Sequence, residues 1–437
     1  MDALWIGFAI LLLLVFYLGL GVWVFSGLLL ISFSALYLLL DFPIDRIGAI
    51  AKGIVWRSSS AWELSAIPMF ILMGEIIFRT DISERLFRGL APLVDGIPGR
   101  LLHTNVLGCT LFAAVSGSST ATTATIGKIT TTALAERKYD TGLAVGSLAG
   151  AGSLGLLIPP SIMMIIYGVL AEVSITKLFI AGVIPGLLVA GLYGGYIIVR
   201  CTLNPELSPA TGVSYSLLQR LKGIVDLIPV LLLILIVLGG IYSGLATPSE
   251  AAAVGVVATL VMAAAMRQLN WRMFVDSTMG SVKASCMICT ILVAAALLSS
   301  TMGYLHVPAE LAVAIGSLDL SPFGLILILG VFYVLLGLFL DGISITVMSL
   351  PITLPLISQA GFDPLWFGVF LVIMVEMGLI TPPVGFNLFV LQGLTGQSLS
   401  LIARSALPFF GLMALAAIII TLFPATALWL PSVLVGN

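Results

Sequence analysis

Two short segments with adjacent prolines interrupt apolar runs in this chain, and both could expose backbone groups to a ligand. GLLIPPS occupies residues 155–161 and EMGLITPPVGFN occupies residues 376–387. Proline lacks the amide hydrogen and clashes with the preceding helical turn, so two in succession break a helix and free the carbonyl groups before them. Hydrocarbon cannot hydrogen-bond a freed carbonyl, so such breaks occur in membranes only where protein or a water-filled cavity satisfies them. The two segments therefore predict a binding site for a small ion or polar solute.

A cluster of small polar residues precedes each proline pair, SGSSTATT at 116–123 and DGISIT at 341–346. Hydroxyl and carbonyl oxygens with few carboxylates favour a hard monovalent cation such as Na⁺, whereas Ca²⁺ would need several carboxylates. Asp341 could instead cap the helix that follows it, and the sequence leaves both roles open. No other metal and no cofactor is expected. The candidate sodium ligands are Ser116, Ser119, Gly155 and Ile158 in the first half of the chain and Asp341, Gly342, Gly378 and Thr381 in the second.

Few ionisable residues fall deep within the apolar runs, so each needs a partner or water. Glu376 precedes the second break, where its carboxylate could accept hydrogen bonds from freed N–H groups without touching a ligand. Lys128 could attract a substrate carboxylate, or its long side chain could extend to the cytoplasmic surface. The candidate substrate contacts are Ser118, Thr120, Lys128 and Asn387.

The elements that carry these residues must lie in a lipid bilayer. Hydrophobic residues make up 60% of the 437 and charged residues 9%, which is the composition of a membrane protein. The net charge of −2 offers no basic surface for nucleic acid. The few scattered ionisable groups form no catalytic cluster, so we expect neither a catalytic residue nor an enzyme.

A helix that spans the bilayer needs about 20 mostly apolar residues. Four regions are apolar but interrupted: 101–135 and 323–359 by the polar clusters, and 140–171 and 363–394 by the proline pairs. We interpret the first two as re-entrant helical hairpins and the last two as broken helices. Continuous candidate spans run roughly over 3–20, 22–40, 61–78, 178–200, 226–245, 250–266, 284–302 and 402–430.

The interruptions occur in the same order in both halves of the chain, which predicts two structural repeats, 1–202 and 226–437, joined by a cytoplasmic linker at 203–225. With a re-entrant hairpin, each repeat crosses the membrane an odd number of times, so the second repeat must be inverted. The predicted fold class is an all-α polytopic membrane protein with two inverted repeats, each with a re-entrant helical hairpin and a broken helix, which is an ion-transporter-like arrangement.

The distribution of Lys and Arg supports the inverted arrangement, because cytoplasmic loops carry an excess of these residues. If both termini lie outside, the outer loops contain only Arg46, Lys52, Arg57 and Lys177, and Lys128 lies within the first hairpin. The inner loops contain Arg79, Arg85, Arg88, Arg100, Arg137, Lys138, Arg200, Arg220, Lys222, Arg267, Arg272, Lys283 and Arg404.

Four segments together resemble the large membrane subunit of tripartite ATP-independent periplasmic (TRAP) transporters. They are IPMFILMGE at 67–75, SGSSTATTATIG at 116–127, ATPSEAAAVG at 246–255 and EMGLITPPVGFNLFV at 376–390. The resemblance implies a sodium-driven importer of an organic acid, such as a C4-dicarboxylate, sialic acid or a similar carboxylate, which moves by an elevator mechanism. It also implies a bacterial inner-membrane location and two partners, a small four-helix membrane subunit and a periplasmic substrate-binding protein. A stand-alone Na⁺/carboxylate symporter that needs no binding protein is the alternative.

Overall fold

A computed structural model describes residues 12–13, 16–17, 20–209, 215–307, 310, 321–338, 340–382 and 385–435. These ranges are helical and contain no strand. The span predicted at about 3–20 lies almost wholly outside them. The α-helices in chain order are α1 (Val24–Leu38), α2 (Ile44–Ser59), α3 (Ala66–Phe78), α4 (Ile82–Val94), α5 (Leu102–Ser116), α6 (Ser119–Glu136), α7 (Thr141–Gly152), α8 (Ile162–Leu170), α9 (Ile175–Leu203), α10 (Leu217–Tyr242), α11 (Pro248–Ala265), α12 (Trp271–Tyr304), α13 (Pro322–Gly337), α14 (Gly342–Gln359), α15 (Pro364–Leu379), α16 (Phe386–Thr395), α17 (Leu399–Leu422) and α18 (Ala425–Leu434).

Six of the described helices are long and apolar enough to cross a membrane, namely α9, α10, α11, α12, α14 and α17. A seventh candidate is the pair formed by α2 and the helical segment Trp62–Phe78, which is bent by 53°. The predicted class of an all-α, multi-pass membrane protein is confirmed.

Two helices occupy segments where the sequence predicted no span. Both contain charged residues that lower the mean hydropathy, which is why a search for apolar runs missed α2 and α4. In α4 the buried residues Ile82, Leu86 and Leu90 recur every four residues, so one face packs inward while the charged face does not.

Two boundaries also differ from the sequence expectations. The single span expected at 402–430 is divided, because α17 ends at Leu422 and Pro424 precedes the first residue of α18. Helix α10 begins inside the predicted linker, at Leu217, where Ser216 and Gln219 form a capping box.

The helices pack as two groups. In helix group 1, which comprises α1–α4 and α10–α12, α12 lies against α1, α2 and α3, and α10 lies against α4 and α11. In helix group 2, which comprises α5–α9 and α13–α18, α7 packs on α17, α9 on α18, α13 on α15 and α16 on α6. The groups meet where α5 contacts α3 and α4, and where α12 contacts α14.

Each polar cluster begins at the junction between two helices, and the first proline pair lies in the interruption between α7 and α8. Helix α5 ends at Gly117, whose φ of 61° is left-handed, and α6 follows and packs on α5. After α7 a 3₁₀ turn at Ser153–Gly155 leads to the first interruption, residues 156–161, here called break 1. The interval between α15 and α16 is break 2. We call residues 116–121 tip 1 and residues 341–344 tip 2. The division into two inverted repeats stays a prediction.

Candidate functional site

Tip 1 packs directly against the chain around break 1. The Ser119 Oγ lies 3.0 Å from the carbonyl oxygen of Gly152, and the Ile162 amide donates a hydrogen bond to the carbonyl of Gly117 at 3.3 Å. Gly155 lies so close that a Cβ there would be 2.5 Å from Ser119 Cα. The neighbouring atoms belong to backbone and cannot rotate away, so this contact requires glycine.

A single carboxylate from the second half of the chain joins tip 1 to break 1. Glu376 is fully buried, its Oε2 accepts from the Ser119 hydroxyl at 2.9 Å, and its Oε1 accepts from the Leu156 amide at 3.1 Å. A buried carboxylate loses several kcal/mol of hydration, and these hydrogen bonds offset part of that loss. Glu376 therefore does satisfy a freed N–H group, but that group belongs to the other half of the chain.

Asn387, from the first turn of α16, reaches the same serine. Its Nδ2 donates to Ser119 Oγ at 2.7 Å, and the Asn387 side chain is fully buried. Asn387 Oδ1 has no hydrogen-bond partner among the described residues. Ser119 is thus surrounded by polar groups from tip 1, α7, α15 and α16.

Tip 2 packs against elements of both halves. A Cβ on Gly342 would lie 2.6 Å from Val375 Cγ1 and 2.7 Å from Met163 Cε, and Thr346 donates from its hydroxyl to Met163 Sδ at 3.1 Å. Met163 belongs to α8, the helix after break 1. Each tip therefore touches a helix next to the break of the opposite half.

Asp341 caps α14. Its Oδ2 accepts from the amides of Ile343 at 3.0 Å and Ser344 at 3.2 Å, and its Oδ1 accepts from the Ser344 hydroxyl. The capping role that the sequence left open is thus present. A role as a cation ligand stays a prediction.

Around break 2, Thr381 donates from its hydroxyl to the carbonyl of Met377 at 2.6 Å, and its amide donates to the carbonyl of Gly378 at 3.1 Å. The hydroxyl lone pairs stay available to a cation. Gly378 lies against Gly337 of α13, where a Cβ would come within 2.6 Å of Gly337 Cα. Ile158 of break 1 is buried against Gly186 of α9.

One cavity of about 1000 Å³ lies between the two helix groups. Helix group 2 contributes both tips and residues next to both breaks, including Leu156, Ile162, Leu379 and Phe386. Helix group 1 contributes the start of α1, the end of α3 with Glu75, and the stretch of α12 from Lys283 to Ile291. The predicted site residues that line the cavity are Ser116, Ser118, Ser119, Thr120, Asp341 and Gly342.

The other predicted residues do not line this cavity. Gly155, Ile158, Gly378, Thr381 and Asn387 are not among its lining residues, although Gly155 and Asn387 contact Ser119, which is. Lys128 is exposed on α6, one turn after the lining residue Ala124, and is not itself a lining residue. The sequence analysis missed the wall formed by α12. The feature that could have indicated this wall is Lys283, a charged residue directly before the apolar run 284–298.

Four helices begin at this cavity: α6 after Ser118, α8 after Ser161, α14 after Asp341 and α16 after Gly385. The N-terminus of a helix carries a partial positive charge and unpaired N–H groups, so it favours anions. At α14 the Asp341 carboxylate already accepts from two of these groups, which leaves the N-termini of α6, α8 and α16 for a bound anion. Four other helices end next to these starts: α5 before tip 1, α7 before break 1, α13 before tip 2 and α15 before break 2. The carbonyl groups of their last turns point toward the tips and breaks. Among the described residues no three His, Cys, Asp or Glu side chains form a metal-binding group. The arrangement suits an organic anion and a monovalent cation.

The sequence model of one protein family, the DctM component of the tripartite ATP-independent periplasmic transporters, matches residues 9–426. The chain belongs to this family. Similar DctM-family proteins include the C4-dicarboxylate TRAP transporter large permease protein of Pseudomonas aeruginosa, which is 36% identical over 91% of this chain and 92% of that protein. The sialic acid TRAP transporter large permease protein SiaM of Vibrio cholerae is 29% identical over 86% of this chain and 87% of that protein.

The fold of this DctM-family chain is similar to that of the YdaH transporter of Alcanivorax borkumensis, with a TM-score of 0.58 and 14% sequence identity over 88% of this chain and 87% of that one. Sequence and fold thus identify the chain as a multi-pass membrane subunit of a TRAP transporter. The similar proteins named above are transporter permeases and not enzymes.

Proposed function

We propose that this DctM-family chain is the permease subunit that imports a small organic acid together with Na⁺. The observation that carries the proposal is the convergence of both tips and four helix N-termini on one cavity. In secondary transporters, helix N-termini at broken helices bind anionic substrate groups, and unwound carbonyls bind the coupling ion. The hydroxyls of Ser118 and Thr120 line the cavity and are candidate substrate contacts.

The coupling ion in this proposal is Na⁺, bound at one site between tip 1 and break 1 and at a second site that tip 2 forms with the end of α15 and break 2. The first site draws on oxygens of Ser116, Ser119, Gly155 and Ile158. The second draws on oxygens of Asp341, Gly342, Gly378 and Thr381. Mostly neutral oxygens of this kind suit a hard monovalent cation, and the scarcity of carboxylates disfavours a divalent one.

The substrate class in this proposal is a C4-dicarboxylate, because the Pseudomonas aeruginosa relative, 36% identical to this chain, carries that name. Sialic acid is the second candidate, since it appears in the name of the Vibrio cholerae relative. The proposed partners are a small four-helix membrane subunit and a periplasmic substrate-binding protein that delivers the acid. The proposed location is the bacterial inner membrane, with both termini in the periplasm.

An elevator motion accounts for how the acid crosses the membrane in this proposal. The two helix groups enclose the cavity between them, and helix group 2 contains every predicted site residue. A displacement of helix group 2 along helix group 1 would expose the site first on one side and then on the other. The site itself would keep its internal contacts during that displacement.

Transport by purified proteins in liposomes tests the proposal. The chain is reconstituted with its small membrane subunit, the binding protein is added outside, and uptake of a radiolabelled C4-dicarboxylate is measured with an inward gradient of Na⁺ or of K⁺. We expect uptake only with Na⁺ and only with the binding protein. Equal uptake with K⁺ would refute sodium coupling. Uptake by the chain alone would instead favour the stand-alone symporter. A binding screen on the binding protein then identifies the acid.

A further inference from the structure

Helix α12 presents one stripe of side chains to the cavity. Lys283, Cys286, Met287 and Thr290 line it and are spaced three, four and seven residues after the first, so they share one face of the helix. This face belongs to helix group 1, opposite the tips of helix group 2. The stripe therefore forms the wall that a bound substrate would face across the cavity.

Lys283 is the one cation among the described lining residues, and its charge is not neutralised there. The charged residues in the lining are Glu75, Lys283 and Asp341. Glu75 pairs with Arg79, and Asp341 caps α14. No ion pair joins Lys283 to any described carboxylate. An anion that enters the cavity therefore meets an exposed ammonium group. The Glu75 carboxylate, which pairs with Arg79, lies against Gly280 one turn before Lys283 in α12 but forms no ion pair with that lysine.

The position of Lys283 along α12 places this charge at one end of the cavity. The twelve residues before it in the helix include Arg272, Asp276 and several hydroxyl residues, whereas residues 284–298 are apolar apart from Ser285 and Thr290. In the predicted topology this end faces the cytoplasm. The charge thus lies where an imported acid would leave the site.

Lys128, the other lysine that the sequence suggested, is exposed on α6 and is not a lining residue. We propose that Lys283 binds a carboxylate of the substrate at the mouth of the cavity and so makes this side of the site selective for anions. This inference rests on the proposed function. It assigns a specificity-determining residue to helix group 1, outside the hairpins and broken helices.

Exchange of labelled for unlabelled substrate across the liposome membrane tests the role of Lys283. Because the binding protein is added outside, only transporter molecules whose periplasmic side faces outward take part. The exchange rate as a function of the internal substrate concentration then gives the KM on the cytoplasmic side. The variants are Lys283→Gln and Lys283→Arg, with Lys222→Gln as a matched control at an exposed lysine of α10 that does not line the cavity. A charged hydrogen bond lost from the site raises the KM by about tenfold, which we expect for Lys283→Gln. The arginine variant and the Lys222 control should stay within about twofold of wild type. The sodium concentration for half-maximal exchange should not change.

A chemical restoration of the charge separates binding from folding. In a background with the four native cysteines replaced by alanine, Lys283→Cys is treated with 2-aminoethyl methanethiosulfonate, which adds a positive charge, or with 2-sulfonatoethyl methanethiosulfonate, which adds a negative one. We expect the first reagent to restore a low KM and the second to leave it raised. A wild-type KM in Lys283→Gln, or the same effect of both reagents, overturns the inference. Absence of any acid transport by the wild-type complex would instead refute the proposed function.

Discussion

The carboxylate of Glu376 accepts a hydrogen bond at 2.9 Å from the hydroxyl of Ser119, a residue 257 positions earlier in the chain. The other oxygen of the same carboxylate accepts from the Leu156 amide, 220 positions earlier. Helix α15 is thereby fastened to both tip 1 and break 1. A displacement of α15 relative to tip 1 or break 1 would break these hydrogen bonds, so they link the two halves of the candidate site.

Removal of the Glu376 carboxylate should destabilise the fold. In Glu376→Ala the Leu156 amide loses its acceptor while the site stays buried, and an unsatisfied buried group costs about 1–3 kcal/mol. Glu376→Gln keeps one side-chain oxygen and should lose less. The measurement is thermal unfolding of the detergent-solubilised protein. Glu63→Ala, at an exposed glutamate, is the control and should leave the transition unchanged. Equal transitions for Glu376→Ala and the control would show that the carboxylate does not support the packing of the site.

A methyl group at Gly155 should disrupt the contact between tip 1 and break 1. In Gly155→Ala the new Cβ would lie 2.6 Å from the Ser118 carbonyl oxygen, and overpacking of this kind costs about 1–3 kcal/mol. We expect a lower unfolding temperature and a loss of most uptake. The matched control is Gly195→Ala in α9, where no atom lies within 4 Å of the added carbon. Retention of wild-type uptake in Gly155→Ala would mean that tip 1 can shift without consequence.

The Thr381 hydroxyl should contribute to sodium binding. Thr381→Val removes this oxygen and nearly preserves side-chain volume, so we expect a severalfold rise in the sodium concentration for half-maximal uptake. The control is Thr395→Val, because that hydroxyl makes the same hydrogen bond to the carbonyl four residues earlier but lies at the far end of α16. An unchanged sodium dependence in Thr381→Val would remove this residue from the set of ligands.

The two hairpins should open on opposite sides of the membrane. In a cysteine-free background, a cysteine at Gln359, the last residue of α14, should react with an impermeant thiol reagent from outside. A cysteine at Arg137, directly after α6, should react only once the membrane is permeabilised. Labelling of both positions in intact cells would contradict the inverted arrangement of the repeats.

Apolar length and helix-breaking residues were enough to predict the fold class and the segments where the helices break. A long apolar run predicts a helix that spans a bilayer, because a helix pairs its own backbone groups and lipid offers them no hydrogen-bond partners. Proline pairs and small polar clusters predicted the two breaks and the two tips. They could do so because a proline disrupts the helix at its own position, whatever the rest of the chain does. The same reasoning missed α2 and α4, whose charged faces lower the mean hydropathy of helices that still pack on one side.

Which of these residues meet depends on how the helices pack. Glu376 and Asn387 both contact Ser119, and Met163 contacts tip 2, although the partners in each contact are more than a hundred residues apart in the chain. Lys283 lies across the cavity from both tips. Local rules carry no information on such contacts, because they depend on how distant helices pack against one another. Thus the sequence identified the segments that form the candidate site, and the packing of the two helix groups assigned the partners of their side chains.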